Sequence, residues 1–299
     1  MSPDLFTLIP PADSPPADSP PADSLKNRLG TAIIANLPHS GLALPPDIAA
    51  QFTAQQRRTL PNSDWHLQSL YSFLPSLGVT VLQANYSRYV VDLNRALKPP
   101  LFGSFWSAVV PQQTAFKQPI YKPDCLPSKA QVRSRIDAYY TPYHRELSRL
   151  LNEAIAQFGK VYLLDLHSFM GLITDDVCLG NARGATCSEA TLDLVAKSFT
   201  DSGYGVVKNK VFTGGHITQR YGHWPHVEAL QIELRYTNYL PLLELEKPAF
   251  DQASPPRSTP DETISNGAIP RYESAVFTAA KSKLRTVFSQ IVTQLAQQA

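Results

Sequence analysis

Short, strongly apolar segments recur along this chain and limit what it can fold into. The clearest are residues 32–37 (AIIANL), which run into Pro38, 161–166 (VYLLDL) and 229–234 (ALQIEL). Runs of this length and composition are typical of strands that are buried on both faces of a sheet. Further extended segments are predicted at residues 79–84, 89–93 and 205–207.

Longer segments with apolar residues at helical spacing separate these strands. Helices are predicted at residues 63–77, stopping at Gly78, at 129–158 with a break near Pro142, at 188–202 and at 272–297. Strands that alternate with helices predict an α/β fold, with a mostly parallel mixed sheet and helices on both faces. Polar residues at the carboxyl ends of such strands are the first place to look for a functional site.

The N-terminal region has a different composition, with three copies of Pro-Pro-Ala-Asp-Ser that end at Ser14, Ser19 and Ser24. Such a repeat has no apolar face to bury, so we predict a disordered or polyproline-like tail over residues 1–28. The remaining residues, 29–299, are predicted to form a single catalytic α/β domain, with a long Pro- and Ser-rich loop at 248–270.

Composition and charge exclude several classes of protein. Apolar residues make up 43% of the chain and charged residues 17%, as in ordinary globular proteins. The formal net charge of +2, without a long basic block, argues against nucleic acid or a membrane surface as a partner. Three cysteines without regular spacing favour reduced thiols, and no segment reads as a leader or a membrane span, so we expect a cytoplasmic protein.

Two of the predicted strands end in a histidine. His39 follows the first strand in a Pro-His-Ser-Gly turn, and His167 closes the strand at 161–166. A single histidine in such a place is more simply explained as a hydrogen-bonded structural residue. Two of them at one sheet edge are what a catalytic zinc site requires, because imidazole suits the metal and strand ends fix its direction.

Hydrolytic zinc sites commonly add one carboxylate and keep a further position for water. The position three residues after His39 is Leu42, so the nearest candidates are Asp47 and Asp64. Asp64 stands at the start of a predicted helix, where the helix dipole alone would favour a negative charge. Ligand and helix cap therefore both remain open for this residue.

Glu233 lies inside an otherwise apolar strand, where a carboxylate is costly to bury without a partner. A general base beside a metal would explain it, since burial raises the pKa of a carboxyl group toward working pH. The alternative is a strand with one wet face, because Gln231 and Arg235 share the parity of Glu233.

The segment 88–95 (RYVVDLNR) carries two arginines. Arginine binds carboxylates in a bidentate manner, so Asn94 and Arg95 could hold an acidic substrate. An ion pair of Asp92 with Arg88 or Arg95 is the structural alternative. A glycine-containing segment at 213–222 predicts either a loop that faces the substrate or a plain turn.

Taken in order, these segments resemble the N-formylglutamate amidohydrolase family. The resemblance extends from about residue 31 to 240 and rests on the following elements: PHSG at 38–41, Asp64, RYVVDLNR at 88–95, DLHS at 165–168, DVCLGNARG at 176–184, the Gly214-Gly215 loop and ALQIEL at 229–234. It implies a fold similar to that of zinc carboxypeptidases and related deacylases.

The resemblance also implies roles for individual residues. It implies His39, Asp64 and His167 as zinc ligands and Glu233 as the general base. The substrate carboxylate would be held by Asn94 and Arg95, with Arg88 as a further candidate. Family members usually have an aromatic residue after the two glycines, followed by Thr-Arg. This chain has His216 and then Thr218-Gln219-Arg220, which moves the substrate-contacting arginine to Arg220.

The implied activity is zinc-dependent hydrolysis of the amide in a small acidic N-formyl or N-acyl amino acid. N-formylglutamate, which would yield glutamate and formate, is the example that the family name suggests. A zinc carboxypeptidase or a deacylase for another N-acyl amino acid would use the same motifs. A non-catalytic, zinc-stabilised binding domain is a third interpretation, although structural zinc sites favour cysteine ligands.

Overall fold

A computed structural model describes residues 4–12, 29–241, 269, 270, 272 and 274–298. In chain order its strands are β1 (Phe6–Ile9), β2 (Ile33–Leu37), β3 (Thr80–Ala84), β4 (Phe102–Gly103), β5 (Val110–Pro111), β6 (Val161–Phe169), β7 (Val177–Gly180), β8 (Val206–Lys208) and β9 (Val227–Arg235). Its α-helices are α1 (Pro46–Gln51), α2 (Ala54–Thr59), α3 (Leu67–Leu70), α4 (Lys129–Arg135), α5 (Thr141–Phe158), α6 (Glu189–Asp201), α7 (His216–Gly222) and α8 (Ala275–Ala296).

The main sheet of the described residues has seven strands in the order β1-β3-β2-β6-β9-β7-β8. The four strands from β3 to β9 in this order run parallel to one another. β1 pairs antiparallel with β3, and β7 pairs antiparallel with β9. The predicted mostly parallel mixed sheet is therefore confirmed.

Helices cover both faces of this sheet. Successive side chains of each strand point to opposite faces, so each strand contributes to both helix-covered cores. On one face, Leu164 of β6 belongs to a core cluster that includes Phe199 of α6 and Phe288 of α8. On the other face, Leu163 belongs to a second cluster with Leu147 of α5. The buried strand residues therefore alternate between two separate cores.

The long helical region before β6 departs from a regular α-helix where the sequence predicted a break. Residues Ile136–Tyr140 form a π-helical turn between α4 and α5, and Pro142 stands in the first turn of α5. Proline has no N–H to donate to the preceding turn, which favours an irregular segment there. α5 then continues to Gly159, whose φ of +79° ends the helix.

The prediction of a disordered tail is wrong for residues 4–12. Phe6 pairs with Ala84 and Ile9 with Val81, so β1 forms one edge of the sheet. The reason is an apolar segment that precedes the repeats, since Phe6 and Leu8 pack against the core beneath α5. The remainder of the predicted tail, residues 13–28, and most of the predicted loop at 248–270 lie outside the described residues.

Two further predictions in the first half of the chain are corrected. The helix predicted at 63–77 is split into α3 and a 3₁₀ turn, Leu74–Leu77, because His66 has a φ of +63° and Pro75 interrupts the pattern. Residues 89–93 form turns and irregular backbone instead of a strand, and the N–H of Val90 donates to the carbonyl of Ser87. None of the described helices is long and apolar enough to cross a membrane.

We expect β1 to protect the edge of β3 from pairing with other chains. Removing residues 1–12 should lower the free energy of unfolding by about 1–2 kcal/mol, since Phe6 and Leu8 are each half-buried. It should also promote self-association, measured by light scattering. Removing residues 1–3 alone should change neither property. A truncated protein that stays monomeric and equally stable would contradict this role of β1.

Candidate active site

The carboxyl ends of three neighbouring strands bring the candidate residues together. His39 lies two residues beyond β2, while His167 and Glu233 lie within β6 and β9. His167 and Glu233 are direct partners in the β6–β9 ladder, so their side chains lie on the same face of the sheet. All three are at most 5% exposed. The site is thus built on rigid strands and shielded from bulk water.

His39, Asp64 and His167 form a compact group of metal-ligating side chains. One donor atom from each lies within 4.8 Å of the others. Oδ2 of Asp64 is 3.0 Å from Nδ1 of His167 and 3.9 Å from Nδ1 of His39. Two ligands of one tetrahedral metal lie about 3.4 Å apart when each bond is about 2.1 Å. The spacing therefore fits a shared metal ion.

The positions of Asp47 and Asp64 distinguish the two candidates for the carboxylate ligand. Asp47 is exposed in the first turn of α1, away from the group. The side chain of Asp64 does not cap α3, because it turns instead toward His167 and Ser168. Its backbone N–H donates to the carbonyl of His39 at 3.1 Å, which ties the two loops together.

Each histidine also contacts a second carboxylate through Nε2, the ring nitrogen that faces away from Asp64. Nε2 of His39 is 2.7 Å from Oδ1 of Asp92, and Nε2 of His167 is 3.2 Å from Oδ2 of Asp165. Such carboxylates fix the tautomer and direction of the ring, which here leaves both Nδ1 atoms facing Asp64. The sequence analysis missed this role of both aspartates. The signal was present for Asp165, which precedes His167 by two residues and so shares its face.

Asp165 is fully buried and surrounded by hydrogen-bond donors. Nδ2 of Asn36 donates to Oδ1 at 2.7 Å, and the hydroxyl of Thr218 donates to Oδ2 at 3.0 Å. Burial raises the pKa of Asp165, but His167 and these donors outweigh it and hold the pKa below its usual value. The carboxylate is thus ionised and fixed in one orientation.

The two histidines differ in their protonation. Burial and the Arg88 guanidinium lower the pKa of His39 to about 4, so its ring is neutral at physiological pH. Burial also acts to lower the pKa of His167, but Asp165 and Asp64 raise it well above its ordinary value. Because a metal binds only the neutral ring, a metal bound here would displace a proton from His167.

The Asp92–Arg88 ion pair, one of the alternatives from the sequence, is present. Nε and Nη2 of Arg88 donate to Oδ2 of Asp92 at 3.1 and 2.6 Å, and Nη1 donates to the carbonyl of Asn62. The guanidinium is therefore engaged on all three nitrogens and buried, which differs from the expected substrate contact. Burial raises the pKa of Asp92, but Arg88 and His39 hold it well below its usual value.

Asn94 and Arg95 lie between the metal-ligating group and an open cleft. Nδ2 of Asn94 is 3.2 Å from Nε2 of His167, and its Oδ1 accepts the N–H of Ile217. Nε of Arg95 donates to the carbonyl of Phe105. The cleft has a volume of about 770 Å³, and its lining includes Arg95, Lys98, His216 and Arg220. Among its described lining residues none is acidic, so it suits an anion.

Glu233 is buried near the carboxyl end of β9, so the alternative of a wet strand face is wrong. Nε2 of Gln231 donates to Oε1 of Glu233 at 2.7 Å. Burial raises the pKa of Glu233 to about 7; His167 acts to lower it and Asp64 to raise it further. A buried carboxylate with such a pKa beside a metal-ligating group can exchange protons near neutral pH.

Comparison with known proteins identifies the family to which this chain belongs. The sequence profile of the N-formylglutamate amidohydrolase family matches residues 31–240. The chain belongs to the N-formylglutamate amidohydrolase family. N-formylglutamate deformylase of Pseudomonas aeruginosa is 35% identical over 218 residues, which cover 70% of this chain and 82% of that protein. N-formylglutamate deformylase of Pseudomonas putida is 33% identical over 218 residues, or 70% and 81% of the two chains.

A solved structure agrees with this assignment at the level of the fold. N-formylglutamate amidohydrolase from Ralstonia eutropha superposes with a TM-score of 0.73 at 24% identity, and the match covers 98% of each chain. Membership of the N-formylglutamate amidohydrolase family makes the chain an amide hydrolase, so the interpretation as a non-catalytic binding domain is wrong.

Replacing the carboxylate behind His167 should weaken metal binding. In Asp165→Asn the new NH₂ group must face a donor, because Asn36, Thr218 and His167 all donate to Asp165. We expect the affinity for Zn²⁺ to fall about 10–100-fold in competition with a chromophoric chelator. Asp175→Asn, at a carboxylate paired with exposed Lys210, is the control. Unchanged affinity in Asp165→Asn would refute the orienting role.

Proposed function

We propose that this chain is a zinc-dependent amidohydrolase that releases formate from an N-formyl amino acid with an acidic side chain, N-formylglutamate being the favoured substrate. The observation that carries the proposal is the buried Glu233, in register beside His167 of the metal-ligating group. Amide hydrolysis assisted by a metal requires a base in that position. The names of the two Pseudomonas relatives, both N-formylglutamate deformylases, support the choice of substrate.

Zinc would be held by His39, Asp64 and His167. Two imidazoles and one carboxylate suit a borderline divalent ion better than Mg²⁺ or Ca²⁺, which prefer oxygen ligands. Three protein ligands are typical of catalytic zinc sites, whereas structural sites are closed by four. When bound, zinc supplies Lewis acidity, which polarises the scissile carbonyl and lowers the pKa of a water molecule.

Glu233 moves the protons of the reaction. Its carboxylate accepts a proton from the attacking water as the water oxygen bonds to the formyl carbon. The carbon–nitrogen bond then breaks, and Glu233 passes the proton to the departing nitrogen, which yields formate and the free amino acid. A pKa of about 7 suits both steps, because the group must be a base first and an acid afterwards.

The cationic cleft would hold the carboxylates of the substrate. Arg95 lies at its inner end, next to Asn94, which contacts His167. Lys98 and Arg220 line the same cleft and could receive a second carboxylate. Arginine fixes a carboxylate in direction as well as position, so the amide would be presented to the metal-ligating group in one orientation.

We also propose that the enzyme works in the cytoplasm on a small molecule. All three cysteines are unpaired, which is the usual state in a reducing compartment. The cleft volume of about 770 Å³ falls within the range of small-molecule sites, roughly 300–1,000 Å³.

A panel of N-formyl and N-acetyl amino acids would test which acyl group the enzyme removes. Faster cleavage of the acetyl compounds would favour the alternative of a different N-acyl deacylase.

The first test of the mechanism is Glu233→Gln. The amide keeps the shape and a carbonyl for Gln231 but cannot accept a proton, so kcat should fall about 10²–10⁴-fold at unchanged zinc content. In the parent enzyme the rate should rise as pH rises through the pKa of Glu233, because only the ionised form is a base. This acid limb should be absent from the variant when rates are measured from pH 5.5 to 9.

A surface substitution, Glu153→Gln, is the control for Glu233→Gln, since Glu153 pairs with exposed Arg149. Turnover of Glu233→Gln within a few-fold of the parent enzyme, at full zinc occupancy, would remove Glu233 from the mechanism.

The second test concerns the anchor for the substrate. Arg95→Ala should raise KM and lower kcat together, because the guanidinium both binds and orients the acid. We expect kcat/KM to fall about 10–100-fold, the size of a lost hydrogen bond to a charged group. Arg149→Ala, at an exposed ion pair on α5, should have no effect. Equal rates for N-formylglutamate and its neutral diamide would show that the anchor assignment is wrong.

A further inference from the structure

We propose that Gln231 is a positioning residue for Glu233, one that holds Oε1 of the carboxylate so that Oε2 carries the proton. This inference rests on the proposed function, since it requires Glu233 to be the base. It assigns a role to a side chain that the sequence pattern had marked only as a neighbour of the same parity.

The hydrogen bonds of Gln231 define the orientation of its amide. The backbone N–H of Gly215 donates to Oε1 of Gln231 at 2.6 Å. Because a backbone N–H can only donate, the oxygen of the amide must face Gly215. Nε2 must then face Glu233, where it donates to Oε1 at 2.7 Å. The two bonds thus connect the backbone at Gly215 to Oε1 of Glu233 through the Gln231 amide.

The N–H of Gly215 is itself held in place by close packing. A Cβ on Gly180 would lie 2.6 Å from the nitrogen of Gly214, and a Cβ on Gly215 would lie 2.4 Å from Nδ2 of Asn94. The N–H of Ala182 also donates to the carbonyl of Thr213. The loop before α7 is therefore pressed between β7 and Asn94, and its position sets the position of the Gln231 amide.

This arrangement occupies one carboxylate oxygen with a neutral donor and leaves the other for proton transfer. Gln231 is 5% exposed, and a buried amide is costly unless both of its ends are bonded. A purely structural role would be met by any buried acceptor for Nε2, whereas the acceptor here is the carboxylate of the proposed base. The second bond, to Glu233, is the part that bears on the reaction.

The test measures steady-state kinetics of Gln231→Met, which keeps the length of the side chain and removes both hydrogen bonds. We expect kcat to fall about 10–100-fold with KM within about threefold, because misplacing a base slows the chemical step and not substrate binding. Zinc content should be unchanged. Gln157→Met is the matched control, since the Gln157 amide donates to the carbonyl of Leu29 and lies outside the site; it should keep the parent kcat.

A double substitution separates positioning from structural support. Since Gln231 acts through Glu233, adding Gln231→Met to Glu233→Gln should cause no further loss of kcat. The same fold-loss in both backgrounds would show an effect independent of Glu233 and would overturn the proposal. Parent-like turnover of Gln231→Met beside an inactive Glu233→Gln would also overturn it and would leave the proposed function intact. An active Glu233→Gln would instead remove the proposed base, and the positioning role with it.

Gln231→Glu provides a second variant in case Gln231→Met is poorly folded. It keeps the acceptor for Gly215 and replaces only the donor that faces Glu233 with a like-charged oxygen. A second buried carboxylate at hydrogen-bond distance disfavours the ionised, basic form of Glu233, so kcat at pH 8 should fall at least tenfold with KM within about threefold. A kcat equal to that of the parent enzyme would overturn the proposal.

Discussion

The pairing of β6 with β9 is the interaction on which the site depends. The ladder is continuous from Val161 and Val227 to Phe169 and Arg235, and it places Asp165 beside Gln231 and His167 beside Glu233. A slip of one residue would move Glu233 to the opposite face of the sheet, among apolar side chains. The apolar first halves of both strands pack beneath α5. This packing fixes the register that the polar second halves require.

The site concentrates buried negative charge to a degree that a folded protein rarely tolerates. Asp64, Asp92, Asp165 and Glu233 are all at most 5% exposed. Arg88 compensates Asp92 directly, and protonated His167 stands between Asp64 and Asp165. A divalent metal ion in place of that proton would bring a larger positive charge to the same carboxylates. The same side chains that are costly to bury on their own would thus favour a metal-bound state.

Features of the site that depend on local sequence patterns could be predicted, whereas features that depend on contacts with other parts of the chain could not. His39 and His167 could be assigned because apolar runs locate the strands that end beside them. Asp64 could not be settled, since its place depends on a loop that folds back onto His39. The parity of Gln231 indicated a wet face, whereas α7, the helix that precedes β9 in the chain, packs against β9, which the strand pattern alone does not reveal. β1 was missed because its apolar segment is only four residues long and adjoins the repeats.

Helix α7 has a buried face toward the site and an exposed face along the cleft. The side chains of Ile217 and Thr218 are buried, and the Thr218 hydroxyl donates to Asp165. The side chains of Gln219 and Arg220 are exposed along the cleft. With the proposed function, substitutions on the outer side would alter which acids are accepted without disturbing the groups proposed to perform the chemistry. A lineage that needs a new substrate can change this helix one side at a time, so selectivity can diverge while the catalytic apparatus stays the same.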